Sequence, residues 1–101
     1  MPTDPRVVRN RLLKILHRWH PEWVDDEVLM LGLGDMNVLV PLKDLVSELV
    51  YLRDWPEKDH GYVELRTVTT VDGELGQSRI TPRGINLVER AIAADPMIAP
   101  F

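Results

Sequence analysis

The chain has no cysteine. That excludes a disulfide framework and any thiolate metal centre, and it suits a reducing compartment. It has no long hydrophobic run either. Its longest apolar stretches, Val28 to Leu31 and Val38 to Leu42, fall far short of the roughly 20 residues that span a bilayer. The opening MPTDPRVVRN carries charge and proline where a secretory signal needs an apolar centre. No internal repeat and no low-complexity linker interrupts it. The expectation is therefore one cytoplasmic domain over residues 1–101, without a membrane partner. An apolar content of 45% gives that domain enough material for a core without covalent staples.

Charge is present but unevenly spread. Residues 1–20 hold Arg6, Arg9, Arg11, Lys14 and Arg18 against Asp4 alone, a net of +4. Residues 21–101 hold seven basic and fifteen acidic residues, a net of −8. The whole chain repels nucleic acid on average, so any attraction has to come from a local patch.

Periodicity orders the elements. Val8, Leu12, Ile15, Leu16 and Trp19 form one stripe of a helix over 6–19, with Asp4 as its cap, Pro5 in its first turn and Pro21 as its stop. A second helix spans 25–33, with Asp25, Asp26 and Glu27 at its positive end. Val28, Leu29, Leu31 and Leu33 are its buried side, and Gly32 and Gly34 its stop signals. Val38–Val40 suits a short strand. Pro41 opens a third helix to Asp54, where Leu42, Leu45, Val46, Leu49 and Val50 follow the i, i+3, i+4, i+7, i+8 pattern. Leu52 adds to that side. After the turn-like Trp55–His60, residues 62–69 alternate as a strand. Residues 72–76 carry turn chemistry, and 77–80 return. Thr81 and Pro82 start a last helix over about 82–94, burying Ile85, Leu87, Val88, Ala91 and Ile92. Residues 96–101 form an apolar tail.

Three helices, a two-stranded hairpin and a closing helix make a mainly helical α+β chain. The run from Leu42 to Glu89 resembles winged-helix (winged helix-turn-helix) domains through "LVYLRD", "HGYVEL" and "RITPRGINLVE". The strand at 38–40 would add a third strand to the wing. The full length is more weakly similar to small uncharacterised proteins of Mu-like prophages, which implies a bacterial or phage origin. The winged-helix resemblance implies a DNA-binding module of regulator type, often a dimer, whose third helix enters the major groove. Here that helix presents Lys43, Asp44, Ser47, Glu48, Tyr51 and Asp54, one basic residue against three acidic ones.

Two kinds of binding stay open. DNA contact would use Lys43, Ser47 and Tyr51 on the third helix and Arg66 and Arg79 on the wing, helped by Arg11, Lys14 and Arg18, which share a face of the first helix at spacings of three and four. Arg6, Arg9 and His17 extend that basic patch. Protein contact, with a partner or a second copy, would use the half-exposed Trp23 and Trp55 and the tail residues Met97, Ile98 and Phe101. The tail either folds back on its own core or docks on a second subunit. Catalysis is not expected. Ser47 and Ser78 lack a nucleophile-elbow context, His60 sits beside a turn, and Asp25-Asp26-Glu27 reads as helix-start charge. Gly32-Leu33-Gly34 lacks the later glycine of a phosphate loop. His17, His20 and Glu22 would be the only metal candidates, and Pro21 breaks their geometry. No cofactor or metal is expected.

Overall fold

A computed structural model describes residues 3–101. Met1 and Pro2, which the single-domain reading includes, lie outside the described residues. The elements run α1 (Pro5–Trp19), β1 (Val24–Asp25), α2 (Asp26–Asp35), α3 (Leu42–Asp54), β2 (Val63–Thr70), β3 (Gly73–Ile80) and α4 (Pro82–Val88). The chain is thus α+β, with four helices and one three-stranded antiparallel sheet of order β1-β3-β2. No helix among the described residues is long and apolar enough to cross a membrane.

α1 starts as its sequence requires. The Asp4 carboxylate accepts from the Arg6 amide at 2.9 Å, and Pro5 occupies a position whose missing N–H costs nothing. The helix buries Val8, Leu12, Leu13, Ile15 and Leu16. Trp19, expected on that stripe, is 48% exposed. It is the helix's last residue and lies over the outer edge of the α1–α2 seam beside Ile15, Val28 and Leu31.

The third strand lies elsewhere than expected. β1 pairs with β3 in the register Val24↔Ser78 and Asp25↔Gln77, and the Gln77 amide donates to Asp25 Oδ1 at 2.7 Å. That takes the edge of β3 which residues 38–40 would have needed. They form an extended connection instead, with Val38 buried and Leu39 82% exposed. Two paired residues are too few to leave a period in the sequence.

α2 runs through Gly32 and Gly34 to Asp35 rather than stopping at them. Gly32 is there for clearance: a Cβ would lie 2.9 Å from Ile15 Cδ1. Leu29 and Leu33 face the core, whereas Leu31, expected among them, is 71% exposed. A residue two positions from both neighbours lies on the far side of a helix.

The hairpin is tighter than the turn-rich 72–76 suggested. Thr70 pairs with Gly73, so Val71-Asp72 is a two-residue loop. Gly73 holds φ at +120°, a conformation that favours glycine. Glu74 to Gly76 already belong to β3.

α4 ends at Val88, six residues short of the expected 94. Arg90 takes a positive φ of 59°, and the Ala91 amide donates to Asn86 O at 2.7 Å. Ala91 and Ile92 consequently leave the core, Ile92 with 41% exposure. The reversal lays the tail on α1. Ile98 is 2% exposed. The fully buried Asn10 amide donates to Ala99 O and Pro100 O, and the Ala99 amide donates to Arg6 O. Asp95 pins the start of this segment: its Oδ2 accepts from Tyr62 Oη at 2.6 Å and Trp55 Nε1 at 2.7 Å.

Candidate functional site

α3 carries more apolar surface than its core contact can cover. Six apolar side chains from Leu42 to Leu52 spread over roughly 160° of the helix at 100° per residue. Leu45, Leu49 and Leu52 are buried, while Leu42, Val46 and Val50 stay 50%, 38% and 36% exposed. Those three are four residues apart, so they form one row along the helix. The excess width of the stripe is the sequence signal for this row, which the shared helical period does not separate from the buried residues.

Beside the row lies an open groove of about 470 Å³ between α3 and the hairpin. Val46, Leu49 and Leu65 supply its apolar lining and Arg53 a cation, and the strand residues Arg66, Thr67, Gly76 and Gln77 form its sheet wall. Asp26, the first residue of α2, also lines it. Its carboxyl is pushed above the ordinary carboxylate value, first by burial and then by the neighbouring Asp25 charge. Gly76 makes room for it, because a Cβ there would overlap Asp26 Oδ2. On α3's opposite flank, a second groove of about 600 Å³ runs between the starts of α1 and α3, lined by Val8, Leu39, Val40 and Pro41 with Asp44 and Glu48.

The residues expected to touch DNA do not converge. Lys43 and Ser47 are exposed on α3, though the Ser47 hydroxyl donates back to Lys43 O at 3.0 Å. Tyr51 turns inward, a correction to its expected outward position. Its ring stacks on Trp55 with centroids 5.7 Å apart, and the Arg9 guanidinium covers it at 3.7 Å. Its hydroxyl is buried without a partner among the described residues. Arg66 and Arg79 sit on the sheet's outer face, where both guanidiniums lie over the Trp23 ring at 4.3 and 4.5 Å. Arg66 also donates to Gln77, and Arg79 pairs with Glu64 at 3.1 Å. The hairpin tip carries Asp72 and Glu74 and no cation.

The other candidates scatter too. Trp23 is half-buried under its two arginines, and Trp55 is half-buried with its ring N–H bonded to Asp95. Ile98 is inside the core and Phe101 packs against it, so the tail docks on its own chain; Met97 remains 39% exposed. Arg11, Lys14 and Arg18 form no ion pair among the described residues, whereas Arg9 binds Glu48 and His17 bonds Glu89 at 2.8 Å. Ser78 is fully buried in the sheet and His60 is exposed, in settings separate from that of Ser47. Among the described residues no three His, Asp or Glu side chains gather as a metal site requires. No family model, curated protein or solved structure matches this chain.

Proposed function

We propose that the chain is a non-enzymatic, cytoplasmic winged-helix module whose α3–hairpin face binds a segment of a partner protein. The order α1-β1-α2-α3-β2-β3 with β3 central supports the winged-helix reading. The observation that carries the binding reading is the exposed row Leu42, Val46 and Val50 beside the apolar-lined groove, at the place where a DNA reader needs cations. An extended or helical segment with bulky apolar side chains fits that row.

A second reading, DNA contact by a regulator-type module, has one specific support. Lys43 and Ser47 stand free of acidic partners on α3, and Arg11, Lys14 and Arg18 of α1 form no ion pair among the described residues. Selection of random peptides on the immobilised chain, with counter-selection on the Val46→Glu variant, separates the two. Circular dichroism and thermal unfolding check that the partly exposed Val46 accepts glutamate with the fold kept. Peptides held by the wild type and released by the variant are the expected result. Retention of random duplex DNA that falls steeply with salt and is lost on Lys43→Glu, with no peptide selected, overturns the protein-binding reading.

A further inference from the structure

Two further surfaces remain unmatched, and each has the chemistry that the other lacks. The first lies where α1 ends against α2, a groove of about 370 Å³ lined by Ile15, Arg18, Trp19, Val28, Leu31 and Met36, with Asp35 as its one acid. Trp19 and Leu31 are 48% and 71% exposed there. Arg18 lines it, exposed Lys14 lies one helical turn earlier on α1, and neither forms an ion pair among the described residues. An occupant of this groove should bring a bulky apolar side chain flanked by carboxylates. The second surface is the hairpin tip. Val71 is fully exposed, more so than any other large apolar residue described, and Asp72 and Glu74 beside it form no ion pair either.

We infer that copies of this chain associate head to tail, the hairpin tip of one docking in the α1–α2 groove of the next. Val71 enters between Trp19 and Leu31, while Asp72 and Glu74 meet Lys14 and Arg18. A second copy is the occupant because the chain itself supplies the required apolar group between two acids. Duplex DNA would match the cations but leave Trp19 and Leu31 against water. The two surfaces are different, so the contact is heterologous and leaves one free tip and one free groove at the ends of any open assembly. The contact is small and belongs to the weak, salt-sensitive class of interfaces.

Sedimentation velocity up to millimolar concentration tests this on the full chain. Wild type should gain mass with concentration and lose it with added salt. Val71→Asp removes the tip's apolar group and Leu31→Glu spoils the groove; both positions are exposed, and circular dichroism checks that the fold is kept. Each variant alone should be monomeric. Their equimolar mixture should form a 1:1 heterodimer and nothing larger, because only one good tip and one good groove remain. A wild type that stays monomeric throughout overturns the inference. So does association that survives Val71→Asp or Leu31→Glu, or a mixture that remains monomeric. These outcomes are separable from failure of peptide binding at Val46, which belongs neither to the α1–α2 groove nor to the hairpin tip.

Discussion

Replacing Asp95 by alanine should destabilise the fold through stranded donors rather than through lost volume. The Asp95 carboxylate accepts from Tyr62 Oη at 2.6 Å, from Trp55 Nε1 at 2.7 Å and from the Met97 amide at 2.8 Å. Tyr62 is only 3% exposed, so its hydroxyl cannot turn to water. A buried donor deprived of its charged acceptor costs about 2 kcal/mol, and the half-buried Trp55 N–H adds about 1 kcal/mol. The Met97 amide lies near the surface and regains a water partner. A total of about 3 kcal/mol is a large fraction of the about 5–15 kcal/mol that holds a domain together. For a chain of this length it lowers Tm by about 12–24 °C.

Thermal unfolding followed by tryptophan fluorescence measures this directly, since Trp55 reports from within the network. The Tyr62→Phe change provides the control. Alone it removes one hydrogen bond, at about 1 kcal/mol. In the Asp95→Ala background it removes the stranded hydroxyl and should restore stability. The double-mutant cycle should therefore show coupling of about 3 kcal/mol. An Asp95→Ala midpoint within a degree or two of wild type, or a coupling near zero, refutes the assignment of Asp95 as the pin of the tail.

Three further outcomes are expected. Ile98→Ala should cost about 3 kcal/mol in urea unfolding, the usual penalty for emptying a buried aliphatic site, because the tail packs on its own core. Gly61→Ala should cost about 3 kcal/mol or more, since a Cβ there collides with the carbonyl oxygens of Leu52, Arg53 and Trp55. Asp26→Asn should raise Tm at pH 7 and leave it unchanged at pH 3. The folded-state pKa of Asp26 lies above its unfolded value, so the native state binds more protons in between and ionisation works against folding. The penalty is absent below roughly pH 4 and complete above the raised folded value. A variant stabilised equally at both pH values would locate the effect outside this titration.

Local chemistry made much of the scaffold legible. Asp4 and Pro5 start α1, Thr81 and Pro82 start α4, and Pro21 and Pro56 follow helices that they cannot extend. The same holds for the glycines of "HGYVEL" and "TPRG". Gly61 sits where the chain leaves α3 against backbone oxygens, and Gly84 where α4 passes the Tyr62 carbonyl. These requirements concern one or two residues at a time, so their residue types announce them.

Errors arose where partner choice mattered. Residues 38–40 have a strand's composition, yet β1 holds the edge of β3, and two residues of β1 show no pattern of their own. The last helix has helical periodicity to Ile92, but the reversal at Arg90 lays the tail across α1 and leaves Ile92 outside. The candidate site shows the same division. Composition already said that α3 is poor in cations. Whether Leu42, Val46 and Val50 were core or surface depended on how widely α1, α2 and the sheet could cover one helix. Arg66 and Arg79 looked available for phosphate until the fold placed Trp23 beneath both. Sequence alone determined where the helices begin, where the proline-stopped α1 and α3 end, and where charge is scarce, because those follow from neighbours along the chain. Tertiary structure alone decided which apolar faces remain uncovered and which cations remain free, because those depend on what the rest of the molecule brings alongside.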